Sequence, residues 1–260
     1  MSAKNEISVT ILGSGTCVPS LERSSCSVLV EIGNSKILFD SGPGTMRRLL
    51  EAGTTIFDVS VICYSHFHPD HTSELVPFLF ASKYPGKTRR ETPLTIMAGK
   101  GFLHFYKGLK AVYGDWIELG PDLLNIVEVD NAARDFFSFD NFTVESIPVE
   151  HNKESVAFRI TDSNGKSIVY SGDTDFSENL ITLSEDADVL ICESALPDEL
   201  KVQGHLTPSL AGELATRANV RKLVLTHFYP ECDKVDIAKQ CRKTYTDCLI
   251  LAYDLMKITV

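Results

Sequence analysis

Between residues 65 and 71 the chain reads Ser65-His66-Phe67-His68-Pro69-Asp70-His71, crowding three imidazoles and a carboxylate into one short stretch. A specified HxHxDH arises by chance in a chain of this length with a probability on the order of 10⁻⁴, so it needs a physical reason. Metal binding supplies one. Imidazole nitrogen with carboxylate oxygen suits zinc, manganese or iron. A turn can aim alternate side chains at two centres about 3.5–4 Å apart, which no single regular element does as readily. Such a cluster needs distant donors as well, and the chain offers them after strand-like runs: Pro148-Val149-Glu150-His151, Tyr170-Ser171-Gly172-Asp173-Thr174 and Leu225-Thr226-His227. Each alone reads as an ordinary hydrogen-bonded residue. Together with the HxHxDH turn, His151, Asp173 and His227 become candidate metal ligands beside His66, His68, Asp70 and His71.

These side chains must be delivered by strands and helices. Short runs rich in Val and Ile predict strands at 7–12, 27–32, 37–39, 59–64, 94–98, 126–129, 142–148, 156–160, 168–170, 189–192, 222–226, 249–252 and 257–260. Helical spacing predicts helices at 45–52, 71–83, 100–112, 177–183, 207–218 and 235–245. Hairpin-like strand pairs followed by helices occur in the first half and again in the second, without an exact repeat. The expected architecture is one α/β domain spanning residues 1–260, with two mixed sheets and helices outside. The HxHxDH turn falls where the 59–64 strand gives way to a helix. Thr207 followed by Pro208 reads as an N-cap with proline at the first helical position, which leaves His205 in the loop just before that helix.

Composition narrows the functional classes. With 260 residues and 43% hydrophobic content the chain can bury a sizeable core. Its net charge of −10 opposes non-specific adhesion to nucleic acid or anionic lipid. The seven cysteines contain no CxxC pair, fitting neither a disulfide framework nor a zinc ribbon. Reduced thiols in a cytoplasm are expected. Met1 to Glu6 is polar and lacks a signal-peptide pattern, and no apolar run reaches the roughly 20 residues that cross a bilayer.

On these motifs the chain resembles the metallo-β-lactamase superfamily over nearly its whole length: Asp40, then His66-x-His68-x-Asp70-His71, then His151, Asp173 and His227. The resemblance implies a four-layer αββα sandwich with a dinuclear site at the sheet edges. By the family pattern His66, His68 and His151 would hold one divalent ion, Asp70, His71 and His227 the other, and Asp173 would bridge them. Asp40 would stand behind the ligands and orient the HxHxDH turn. Zinc is the first expectation for both ions, with manganese or iron as alternatives. Flavin-linked oxygen reductases of this fold usually carry Glu where this chain has His68, which disfavours a redox role.

Two cations sharing a water lower its pKa from about 15.7 towards roughly 7, so a metal-activated hydroxide makes hydrolysis the expected reaction. His205, in Gly204-His205-Leu206-Thr207, is free to donate a proton or to stabilise charge on a phosphoryl group. Its plainer reading is a solvent-exposed loop histidine. The Gly-His-x-Thr pattern 22 residues before His227 resembles the phosphodiesterase and ribonuclease Z branch of the superfamily. Leu12-Gly13-Ser14-Gly15-Thr16 with Arg23, and the late Ala252-Tyr253-Asp254, look like that branch too. By the same analogy Glu193 would orient His205. The expected catalytic residues are therefore Asp70, His205 and Glu193.

Two features separate the chain from that branch's transfer-RNA processing enzymes. Those usually carry a long RNA-binding arm between the third and fourth motifs, whereas 21 residues separate His151 from Asp173 here. They also tend to read His-Glu-Ala/Ser-Thr where this chain has Cys192-Glu193-Ser194-Ala195. The expectation is therefore a phosphodiesterase for a small or nucleotide-type diester, with ribonuclease Z-type RNA processing or lactone and thioester hydrolysis as alternatives, and a non-enzymatic metal-binding scaffold last. Lys83, Lys87, Arg89 and Arg90 form the best basic cluster, read as a solvated loop ahead of an active-site rim. His104, in an aromatic helical segment, reads as a packing or pocket-wall residue ahead of a metal ligand. The subunit number stays open, a homodimer being the pattern of many relatives.

Overall fold

The computed structural model describes residues 7–84 and 89–260, so Lys87 and the polar start Met1 to Glu6 lie outside the described residues. The first sheet is built from β1 (Ile7–Gly13), β2 (Ser27–Ile32), β3 (Ser35–Phe39), β4 (Val61–Tyr64), β5 (Leu94–Gly99) and β6 (Leu124–Val129). The second runs through β7 (Asp135–Ser138), β8 (Phe142–Pro148), β9 (Val156–Asp162), β10 (Ser167–Tyr170), β11 (Val189–Glu193), β12 (Lys222–Thr226) and β13 (Cys248–Leu251). The last strand, β14 (Met256–Thr259), returns to the first sheet beside β1. Each sheet thus has seven strands, in the orders β14-β1-β2-β3-β4-β5-β6 and β13-β12-β11-β10-β9-β8-β7. Antiparallel pairing on one side of each gives way to parallel pairing on the other, from β3 to β6 and from β10 to β13. This is the expected mixed αββα sandwich.

Alternation along the strands assigns the layers, because successive side chains of a strand point to opposite faces. In β3 and β4, Ile37, Phe39, Val61 and Cys63 enter the core between the sheets, where Phe39 stacks on Tyr170 at 5.0 Å. Leu38, Ile62 and Tyr64 face the other way, into a second cluster with Leu49, Phe78 and Phe102. Those three belong to α1 (Thr45–Glu51), α3 (Leu75–Lys83) and α4 (Phe102–Tyr113). The second sheet is covered by α5 (Glu178–Ser184), α6 (Pro208–Arg217) and α7 (Ile237–Cys241), through Leu180, Leu183, Leu214 and Ile237. Strands buried on both faces read as continuous apolar runs, which is why β4 and β11 are apolar almost throughout.

Three expectations need correction. The helix predicted at 71–83 is two, α2 (Pro69–Thr72) and α3, broken at Ser73 and Glu74. Glu74 turns its carboxylate onto the N-terminus of α1, accepting from the backbone N–H of Gly44 and Met46 at 2.7 and 2.5 Å, while its own N–H goes to the Ser41 carbonyl. Strand β7 forms where the pattern predicts none; it is an edge strand with Phe136 exposed, so burial left little mark on its sequence. The basic cluster is also not one solvated loop. Arg90 is 1% exposed and donates to the carbonyls of Val59, Ile56 and Thr92 over the ring of Phe78. All seven cysteines are free. Among the described residues no helix is long and apolar enough to cross a membrane.

Candidate metal centre

The candidate ligands leave the ends of strands from both sheets and meet over one edge of the sandwich. β4 leads into the HxHxDH turn and α2, β8 into His151, β10 into Asp173 and β12 into His227. Two groups of donor atoms result. His66, His68, His151 and Asp173 form one, and Asp70, His71 and His227 the other, each with its donor atoms within 4.8 Å of one another. Asp173 touches both: Oδ2 lies 3.7 Å from His66 Nε2, while Oδ1 lies 3.3 Å from His71 Nε2 and 3.2 Å from His227 Nε2. Asp70 Oδ2 stands 3.8 Å from the same two nitrogens.

Hydrogen bonds around the cluster decide which nitrogen of each ring faces inward. His71 Nδ1 donates to Asp40 Oδ2 at 2.7 Å, which turns its Nε2 inward, 3.3 Å from His227 Nε2. His151 Nδ1 donates to the Gly204 carbonyl at 2.8 Å, which leaves its Nε2 bare towards His68 Nδ1 at 3.3 Å. His66 Nδ1 donates to Ser65 Oγ at 3.0 Å. Its Nε2 is buried with no hydrogen-bond partner, and Asp173 Oδ1 is likewise buried without a hydrogen-bond donor. A buried imidazole nitrogen and a buried carboxylate oxygen left without partners are costly unless a cation lies beside them. The donor set therefore fits divalent metal ions.

Asp40 is fully buried and accepts four hydrogen bonds, from Ser65 N–H, Ser65 Oγ, His71 Nδ1 and Tyr170 Oη, all at 2.7–2.8 Å. It sits in the left-handed backbone region at φ 56°, as does His227 at φ 60°. Strained backbone of this kind persists where surrounding structure over-determines it, commonly at functional sites. Burial and neighbouring charge oppose one another within the cluster. Burial pushes the His66 imidazole well below its ordinary range, assisted by the neighbouring His71. Burial acts the same way on His71, but Asp173 and Asp40 outweigh it and hold that ring well above its ordinary range. Asp173 is driven the other way: burial favours its neutral form, yet His227 and His71 keep it well below the usual carboxylate range.

His205 stands beside this cluster. Its Nδ1 donates to Glu193 Oε1 at 3.0 Å and lies 3.9 Å from Asp173 Oδ2, and its ring stacks on that of His227 at 5.7 Å. Burial disfavours its charged form, but the Glu193 hydrogen bond and charge prevail and raise its pKa to about 9. Glu193, at the end of β11, is 1% exposed and also accepts from the N–H groups of Thr174, Ala195 and Leu206, so its orientation is fully determined. His205 is also within donor reach of Asp173 and His227, which makes it a geometric alternative as a ligand. Thr207 occupies the N-cap of α6 with Pro208 at the first position, but its side chain does not cap; Asp198 accepts from Ser209 N–H instead.

The remaining motifs find structural places. Ser14 and Ser24 both donate to Asp254, which also pairs with Arg48, while Arg23 reaches Ser14 Oγ and the Ala252 carbonyl. The first loop and the 252–254 segment are thus one network beside the site. His104 does not pack as expected but is exposed on α4, whose Phe102 and Phe105 instead pack against Phe67 of the HxHxDH turn. Sequence reasoning did not single out Ser65, Tyr170, Asp175 or the Gly204 carbonyl. Only their closeness to Asp40, His66, Asp173 and His205 hinted at them.

Comparison with known proteins extends these observations. The family model described as "Beta-lactamase superfamily domain" matches residues 35–228. The ribonuclease Z of Methanosarcina mazei is 27% identical over 97% of both chains; that alignment spans 307 positions, so the relative carries tens of residues with no counterpart in these 260. The metallo-β-lactamase fold protein YhfI from Bacillus subtilis superimposes with a TM-score of 0.83 at 21% identity, over 99% of this chain and all of that one. The short form of human tRNase Z gives 0.76 at 24% identity, over 96% and 98%. At these identities the two structures show a shared fold.

Proposed function

The chain belongs to the β-lactamase superfamily, and on that premise we propose that it is a metal-dependent phosphodiester hydrolase with His205 as the residue that protonates the leaving group. Two divalent ions, zinc first, held by His66, His68 and His151 on one side and Asp70, His71 and His227 on the other with Asp173 between, would supply an acidified water and neutralise phosphoryl charge. The unpartnered His66 Nε2 and Asp173 Oδ1 support that ligand set. Asp70 is the most exposed of the acids around the cluster, at 12% of its side chain, and is placed to hold the proton of the attacking water. Asp40 fixes the tautomer of His71 through the 2.7 Å bond to Nδ1.

The observation that carries the reading is the His205–Glu193 pair. Glu193 accepts a hydrogen bond from His205 Nδ1–H and favours the imidazolium, leaving Nε2–H as the free donor. The alkoxide that departs from a phosphodiester needs that proton, and an imidazolium at the same place would also neutralise charge on the phosphoryl oxygens. The names of the curated relatives favour RNA as the substrate over the small diesters that the motif spacing suggests. The smaller substrate keeps one specific support: the stretch from His151 to Asp173 is filled by the hairpin of β9 and β10, which leaves no room there for an RNA-binding arm.

The test is to load the protein with zinc or manganese and offer a small phosphodiester, a precursor transfer RNA and a lactone. Diester cleavage that drops about 10²–10⁴-fold in His205→Ala is expected. Cleavage of the lactone alone, indifferent to His205→Ala, would overturn the proposal. Efficient, salt-sensitive cleavage of the precursor would assign RNA as the substrate.

A further inference from the structure

The loop that carries His205 is tied to the cluster from a second side, by a residue the mechanism above does not use. Asp175 lies two positions beyond Asp173. Its Oδ2 accepts from Gly204 N–H and from Lys201 Nζ, both at 2.9 Å, and its own N–H donates to the Glu150 carbonyl at 2.7 Å. Lys201 closes the loop on itself by a second bond to the Val202 carbonyl. The Gly204 carbonyl, on the same residue whose N–H Asp175 holds, is the acceptor for His151 Nδ1. Gly204 also sits at φ +88°, and a Cβ there would lie 3.1 Å from His151 Nδ1, so loop and ring are in direct register. One residue therefore ties two segments: the backbone N–H of Asp175 holds the Glu150 carbonyl just before His151, and its carboxylate holds Gly204, whose carbonyl orients His151 and which directly precedes His205.

We propose that Asp175 is a positioning residue that sets His151 and His205 together, through Gly204, so that the proton donor and the His66/His68/His151 group keep one fixed spacing. This rests on the function proposed above, with His151 as a ligand and His205 as the donor. Glu193 fixes the rotation of the His205 ring; Asp175 fixes where the backbone beneath it stands. The Asp175 carboxylate touches neither the donor atoms nor any group that leaves or attacks, so what it contributes beyond its own backbone is transmitted by the 201–204 segment. The segment has few other anchors: Lys201 and Val202 are exposed, and Gly204 offers no side chain to pack.

The experiment compares the zinc-loaded wild type with Asp175→Leu, Asp175→Asn, His205→Ala and the His205→Ala/Asp175→Leu double variant. Each is assayed on two diesters that differ only in the leaving group, a nitrophenol and an unactivated alcohol. In parallel, metal retention is titrated against a chelator. Asp175→Leu is expected to lose more turnover on the alcohol than on the nitrophenol, as His205→Ala does, and to release metal at about tenfold lower chelator. The double variant should lose little beyond His205→Ala, because both act through one group. Asp175→Asn keeps an acceptor for Gly204 N–H and should recover most of both properties. Equal losses on the two diesters, unchanged metal retention, or losses that multiply in the double variant would overturn the proposal. If Asp175→Leu does not fold, Lys201→Met removes a tie of the same segment, and a smaller leaving-group bias is expected of it; no bias there overturns the proposal as well. Should His205→Ala itself show no leaving-group bias, the function reading fails at its donor, which is a different result from a biased His205→Ala beside an unbiased Asp175→Leu.

Discussion

At the scale of single residues, Asp40 gathers the densest set of hydrogen bonds behind the HxHxDH turn. Four donors converge on its carboxylate in a fully buried position. Asp40→Asn would offer one carbonyl oxygen to donors that now share two, and its amide hydrogens would point at Ser65 or His71. Breaking a buried pair of this kind costs about 3–5 kcal/mol. Asp40→Asn should therefore unfold at clearly lower urea than wild type and, where it stays folded, bind metal about 10–100-fold more weakly. Urea melts and chelator competition measure the two effects separately, and wild-type values in both would contradict the role given to Asp40. The HxHxDH turn was legible because its donors are contiguous, so spacing alone announces them. Asp175 and the Gly204 carbonyl were not, because one acts on a backbone N–H and the other is itself backbone. Such groups carry no residue-type signature, and only the folded chain shows which ring each one holds.

At the scale of elements, the break between α2 and α3 shows a local rule at work and a tertiary contact that uses it. Apolar spacing favours an unbroken helix from 71 to 83, but Pro77 has no N–H for the Ser73 carbonyl and its ring crowds that carbonyl, so the helix restarts after residues 73 and 74. The break frees Glu74 to serve α1, whose N-terminus has Gly44 at the cap position and no side-chain cap of its own. An acidic side chain at a helix N-terminus satisfies orphan N–H groups and complements the helix dipole. The same contact presses the short α2, with Asp70 and His71, against the loop after Asp40: Ser41 N–H donates to the His71 carbonyl at 2.7 Å. Glu74→Ala should destabilise the fold by about 1 kcal/mol, the usual cost of losing a helix cap. It should also weaken metal retention, although Glu74 is no ligand. A thermal melt and a chelator titration read these out, and a variant that loses stability with metal binding untouched would uncouple the cap from the site. Edge strand β7 escaped the pattern for the opposite reason: half-exposed strands need no apolar alternation to hold them, only pairing with β8.

For the whole molecule, the decisive feature is that neither sheet owns the site. His66, His68, Asp70 and His71 leave the first sheet, while His151, Asp173, His205 and His227 leave the second. The last strand then crosses back: β14 pairs with β1, and Leu255 N–H donates to the Ile11 carbonyl just before it. Asp254 adds side-chain ties to Ser14, Ser24 and Arg48 at that crossing. We propose on this basis that residues 1–260 unfold as one domain, since opening either sheet exposes the shared core and removes the last strand from its partner. A site built across the two sheets then reports on global folding, because cations bind the native arrangement and not the dispersed ligands of the unfolded chain. At a cation concentration of about 100 times Kd a single site adds about 2.7 kcal/mol, which for a chain of this size raises Tm by roughly 5–10 °C. Scanning calorimetry should therefore show one transition that falls by that amount in chelator and returns with zinc or manganese. His71→Ala and His227→Ala, which remove the 3.3 Å pair of facing nitrogens, should shrink the shift. Two transitions with only one sensitive to metal would mean that the halves fold separately, and the argument from a shared edge would fail with them.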